Sequence, residues 1–170
     1  MEIKLRRARV EDATKIRDLH VAAIRKTCAP DYTEEQIQAW SANRKVERYR
    51  WAMEEGGETM FVAVSQNKIV GFSSCYDDEI CSVYVHPNFK GRGIGALLLQ
   101  AVEDEIQGAG WEEGHLNATL TAQNFYIKYG WQNTGGLKSE ERNGVGIPCI
   151  GMTKKMNIAV NETNLLQTQS

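Results

Sequence analysis

The sequence predicts a mixed α/β fold in a single domain, and three observations predict it. Apolar residues recur at helical steps over the first third of the chain. From residue 59 the period switches to strands, where three apolar runs are separated only by short turns. The third run then passes through a glycine-rich stretch into a long amphipathic helix. At 170 residues, with 42% hydrophobic and 25% charged residues, the chain can bury one proper core.

Residues 2–8 alternate loosely and predict a first strand. Residues 11–26 predict a helix, with Ala13, Ile16, Leu19, Ala23 and Ile24 on one face and Ala29-Pro30-Asp31 breaking it. Thr33 and Gln36 have the spacing of a capping box, in which each side chain bonds the other's backbone N–H. They open a helix carrying Ile37 and Trp40, and "VERYRWAME" supplies another helical piece that ends near Gly56-Gly57. Residues 59–65, 69–76 and 79–85 follow as strands of an antiparallel meander. The next helix runs to about Gln107, with Ile94, Leu98, Ala101, Val102 and Ile106 inward and Glu103, Asp104 and Gln107 toward water. Residues 115–120 predict a strand, "TAQNFYIKYG" a short helix capped by Thr121, and "WQNT" and "VGIPCIGMTKKM" the last strands. Residues 1–156 thus form the domain, and the polar, aperiodic residues 157–170 are expected to be a loose tail.

A net charge of −2 gives no basic footprint, which argues against sequence-independent nucleic-acid binding. No apolar run approaches the ~18 residues of a membrane span. The charged N-terminus lacks the apolar segment of a secretory signal, so a cytoplasmic location is expected. Cys28, Cys75, Cys81 and Cys149 are scattered, which predicts buried free thiols and no metal site.

The informative stretch is "VYVHPNFKGRGIGALLLQ", residues 83–100. Gly91, Gly93 and Gly95 sit where a strand hands over to a helix, with Lys90 and Arg92 between them. A helix N-terminus offers unpaired N–H groups and partial positive charge, and glycine lets a ligand reach the backbone. Together they predict an anion site, most often for phosphate. The register excludes the common nucleotide motifs: neither G-x-x-x-x-G-K-[ST] nor G-x-G-x-x-G occurs.

"KGRGIG" instead resembles the pyrophosphate-binding motif Q/R-x-x-G-x-G/A of the GNAT superfamily, the acyl-CoA-dependent N-acyltransferases, with Lys90 in place of Gln or Arg. "TLTAQNFYIKYGW", residues 119–131, resembles that family's N-x-x-A-x-x-L-Y-x-x-x-G-F: Ala122, Tyr126 and Gly130 match, Phe125 replaces Leu, Trp131 replaces Phe, and Thr119 stands where Asn is common. The resemblance covers roughly residues 2–156, and "YTEEQIQAW" is similar to a bacterial subgroup without adding a substrate. It implies a central, mostly antiparallel sheet of about six to seven strands with helices on both faces. It also implies direct acetyl transfer from acetyl-CoA to a primary amine of a small molecule or peptide, with no metal. A homodimer is left open, and a non-catalytic acyl-CoA-binding module is the alternative.

The resemblance further implies where the chemistry falls. Val83, Tyr84 and Val85 lie on the strand that pairs with the pantetheine arm, with the Val85 N–H polarising the carbonyl. Lys90, Gly91, Arg92, Gly93, Ile94 and Gly95 hold the pyrophosphate, and Asn124 and Tyr126 complete the cofactor site. Tyr126 is the candidate acid, because a phenol near ~10 keeps its proton at neutral pH and can pass it to a thiolate near ~8.5. Glu79 is the candidate base. Strand alternation before any bulge puts it on one face with Cys81, Val83 and Val85, where apolar neighbours would desolvate it. Counting back from Lys90, it also sits where the histone-modifying branch keeps its catalytic glutamate. His115 is the second candidate base, and with Asn117 and Thr119 it alternates along a strand lining a polar cleft. Tyr32, Trp40 and Trp51, with Asp31, Glu34 and Glu35, fall in the segment where this fold builds its acceptor site, although helix packing and helix-end charge explain them equally well.

Overall fold

The computed structural model describes residues 1–157, so most of the expected tail lies outside the described residues. A seven-stranded sheet runs in the order β1-β2-β3-β4-β5-β7-β6, with β1 Lys4–Arg7, β2 Thr59–Ser65, β3 Lys68–Tyr76, β4 Glu79–Val85, β5 Glu113–Thr119, β6 Gln132–Arg142 and β7 Val145–Lys155. Every neighbouring pair is antiparallel except β4–β5. The predicted meander is β2-β3-β4.

Helices cover both faces. On one, α1 (Ala13–Ala22) and α3 (Val46–Glu54) bury Ile16, Leu19 and Ala52 against Val62 and Phe72. On the other, α4 (Ile94–Gly108) buries Leu99, Val102 and Ile106 against Ile80 and Leu116. The α4 helix sits so close to the sheet that a Cβ on Gly71 would lie 2.7 Å from Leu98 Cδ1 and 3.0 Å from the Tyr84 carbonyl. The α2 helix (Glu34–Ser41) begins on the predicted capping box: the Gln36 N–H donates to Thr33 Oγ1 (3.2 Å) and the Thr33 N–H to Gln36 Oε1 (2.9 Å). The short α5 helix is Gln123–Lys128.

Four expectations are corrected. Glu103 does not face water; it is 7% exposed and accepts from Trp131 Nε1 (2.8 Å) and Lys154 Nζ (3.0 Å). Its charge is tolerated because a cation and an N–H donor meet it inside. Thr121 does not cap α5: its hydroxyl donates to Asp31 (2.7 Å), while Thr119 Oγ1 accepts the Ala122 N–H. Cys81 is exposed while the other three cysteines are buried. The first helix is not regular throughout, because Ala23–Thr27 form a π-helical turn closed by the Cys28 N–H on the Ala23 carbonyl.

Candidate active site

The site is made by two irregularities in β4. The first is a bulge. Cys75 pairs with Ile80 and Ser74 with Ser82, so Cys81 is an extra residue with no partner on β3. The bulge reverses the alternation. Ile80 packs under α4, yet three residues later Val83 does so too, and Tyr84 turns to the α1 face. Glu79 therefore does not share a face with Val83 and Val85, as unbroken alternation predicts. It joins Tyr84 in lining a cleft on the α1 side. The expected apolar, desolvated setting is not met, for the Glu79 side chain is 42% exposed beside His115.

The second irregularity is a splay. Strand β4 pairs with β5 only at Glu79–His115 and Ile80–Leu116, and beyond them the strands part. The His86 N–H donates to the Val70 carbonyl on β3 (2.8 Å). Successive strand N–H groups alternate sides, so those of Val85 and Val83 point into the gap left by β5.

A cleft of about 460 Å³ fills that gap. Its walls include the β4 residues Val83, Tyr84 and Val85, the turn residues Lys90, Gly91, Gly93, Ile94 and Gly95, and Tyr126 of α5. Gly93, at φ 77°, caps α4 without a side-chain hydrogen bond, leaving first-turn N–H groups free. A Cβ on Gly91 or Gly93 would meet nothing within 4 Å, so the backbone there is open to a ligand. Arg92 and Asn124 are not brought in. The Arg92 guanidinium lies over the Phe89 ring at 5.1 Å and reaches Met1 Sδ, and Asn124 is exposed on α5 and does not line the cleft. Lys90 is thus the cation of the turn that lines the cleft. Tyr126 is 6% exposed, and burial pushes its phenol up, so it stays protonated at neutral pH.

Sequence reasoning missed the cleft's opposite wall. Ala23, Thr27 and Cys28 from the π-helical turn line it, and the buried Thr27 Oγ1 has no partner among the described residues. A π-turn leaves no mark in a 3.6-residue period, and such turns are frequent at functional sites.

A second cleft, of about 610 Å³, lies on the α1 side. It shares Ile80, Cys81, Ser82, Tyr84, Asn117 and Thr119 with the first, so the two meet through the splay. Glu79 lines it, and across the paired rung His115 Nε2 is 3.9 Å from Glu79 Oε2 while its Nδ1 is 3.2 Å from Asp78. Tyr32 and Trp40 line it as well as packing into the core, whereas Trp51 is 53% exposed and stands apart. The Tyr32 hydroxyl donates to the Pro148 carbonyl (2.8 Å) and accepts the Leu120 N–H (2.9 Å), tying the segment after α1 to both β5 and β7. Of the acids expected to attract an amine, Asp31 is held by Thr121, and neither Glu34 nor Glu35 lines the cleft. Among the described residues no group of three or more His, Cys, Asp or Glu could hold a metal. No helix among them is long and apolar enough to cross a membrane.

A splayed parallel pair, a bulged strand edge and a glycine turn at a helix start make up this site, and comparison with known proteins gives the family. The family model for the acetyltransferase (GNAT) domain matches residues 28–156, and the chain belongs to that family of acyltransferase enzymes. It is 26% identical over 143 residues to the uncharacterized N-acetyltransferase YafP of Escherichia coli K12, covering 82% of this chain and 88% of YafP. The crystal structure of a GCN5-related N-acetyltransferase, "Aminotransferase, Class-II", from Rhodopseudomonas palustris superposes with a TM-score of 0.84 at 30% identity, covering 92% of this chain and 97% of that one. PaiA N-acetyltransferase from Thermoplasma acidophilum, solved in complex with coenzyme A, shares the fold with a TM-score of 0.70 at 22% identity, covering 91% and 99%.

Proposed function

We propose that the protein transfers an acetyl group from acetyl-CoA directly to a primary amine of a small molecule or peptide, and that residues 1–156 carry this activity as one domain. The observation that carries the reading is the meeting of the two clefts at the β4–β5 splay, through six shared lining residues. The first cleft suits the donor. Its glycine turn offers free N–H groups and Lys90 to a pyrophosphate, and the β4 edge offers N–H groups to an extended arm, as a strand would pair. The thioester supplies an activated acyl carbon. In this reading the Val85 N–H polarises its carbonyl, and the second cleft holds the amine.

The proton balance assigns the remaining roles. A C–N bond forms and a C–S bond breaks. The ammonium must lose one proton before attack and another as the amide forms, and one proton must reach the departing thiolate. Glu79 accepts from the ammonium, directly or through a water, and His115 beside it is the second candidate. Tyr126 donates to the thiolate, its phenol held protonated by burial.

Thiol release from acetyl-CoA, followed across a panel of amines, amino acids and basic peptides, tests the reading. Release above spontaneous hydrolysis is expected only when a matching amine is present, with a matching N-acetylated product by mass spectrometry. Release that no amine stimulates would contradict it.

A further inference from the structure

We propose that the second cleft selects an amine that also carries a carboxylate, which Arg44 binds; the inference rests on the acetyltransferase reading and names its acceptor class.

Arg44 is half-buried at the wall of that cleft. Its Nε donates to the Trp40 carbonyl (3.0 Å), which aims the guanidinium, and Nη1 lies 3.5 Å from both Tyr49 Oη and His20 Nδ1. Among the described residues Arg6, Arg7, Arg17 and Arg142 each pair with a carboxylate, and Arg44 forms no salt bridge. A half-buried guanidinium with no anion is costly to leave so, and its planar fork fits a carboxylate with two parallel hydrogen bonds.

His20 marks the same end as electropositive. The ring is buried, and burial first, then the charges of Arg44 and Arg142, hold it well below its ordinary value, so it is neutral. A guanidinium only donates, so the Nδ1 facing Arg44 and Tyr49 presents its lone pair, and the proton sits on Nε2. That Nε2–H has no partner among the described residues. The Arg44 guanidinium, whose contacts to His20 and Tyr49 are long at 3.5 Å, is therefore left with donors to spare.

The acidic side of the lining is arranged differently. Glu140 is already engaged by Arg142 Nη2 (2.7 Å) and Asn117 Nδ2 (2.9 Å). Glu79 stands at the paired rung where the two strands begin to part. The lining carries Arg44, Arg48 and Arg142 beside Glu58, Glu79, Glu140 and Glu141, of which Arg142 and Glu140 pair with each other, and a zwitterion would meet Arg44 with its carboxylate and Glu79 with its ammonium. Tyr84, whose ring centroid is 4.2 Å from that of His20, lines both clefts, so this end of the second cleft connects to the first.

The test compares three matched probes, L-phenylalanine, its amide and phenethylamine, with the same triple built on leucine. In wild type the carboxylate member should exceed its amide by at least ~10-fold in kcat/KM, the scale of a charge-assisted pair. This holds even though the amide carries the less basic, more readily freed amine. Arg44→Gln should bring the ratio within about twofold and Arg44→Lys should keep part of it; acetyl-CoA affinity checks that each variant is folded. Amides equal to or better than the acids in wild type, or a preference that survives Arg44→Gln, would overturn the inference while leaving acetyl transfer standing. If no probe turns over, calorimetric binding of the same triples to CoA-saturated protein decides it by the same ratios, and the absence of turnover counts against the acetyltransferase reading alone.

Discussion

Glu79 Oε2 lies 3.9 Å from His115 Nε2, across the rung of β4 and β5 that is paired one residue before the strands separate. The two candidate bases are thus neighbours across one rung, although only Glu79 lines the second cleft. Glu79→Gln, which keeps shape and removes the acceptor, should lower kcat/KM near neutral pH by ~10²-fold and regain part of it at high pH, where the amine is already free. If the two act as one proton acceptor, adding His115→Gln should cost little more. Multiplicative losses in the double variant, read from pH–rate profiles, would show that the two work separately.

Tyr126 is buried where it lines the first cleft, with burial alone raising its phenol. Tyr126→Phe should keep acetyl-CoA affinity within severalfold and lower kcat by ~10²-fold or more. Single-turnover kinetics check it. An unchanged chemical step would mean that the thiolate leaves unassisted.

His20 makes stability depend on pH. Its folded value lies well below the ordinary 6.5, so between the two the unfolded chain binds a proton that the folded chain refuses. Stability therefore falls as pH drops below about 6.5, by up to about 1.4 kcal/mol per pH unit for this one proton. Urea unfolding from pH 7.5 to 5 measures the slope. His20→Gln should lower stability at pH 7 and flatten the slope over this range, and a variant with the wild-type slope would remove His20 as its source.

Much of this was legible in the sequence because it is local. The Thr33–Gln36 box, the meander and the glycine turn are each written within a few consecutive residues. What was not legible depends on distant partners or on one inserted residue. The bulge at Cys81 moves Glu79 to the other face, and a period of two cannot foresee an unpaired residue. Glu103 reads as a solvated acid until Trp131 and Lys154 are folded against it. The second cleft draws on α1, the α2–α3 turn, β4 and β6, segments whose proximity only the assembled sheet creates.

In the proposed function the first cleft holds acetyl-CoA through the backbone at Gly91–Gly95. Calorimetric titration of acetyl-CoA into wild type and Gly93→Glu tests it most directly, with circular dichroism confirming that both are folded. Gly93 has positive φ and open space above it, so the glutamate would add like charge and bulk where the pyrophosphate is expected, besides straining a left-handed position. Saturable one-to-one binding by wild type and none by Gly93→Glu is the predicted result. Equal binding by the two proteins would mean that the pyrophosphate does not sit on this turn.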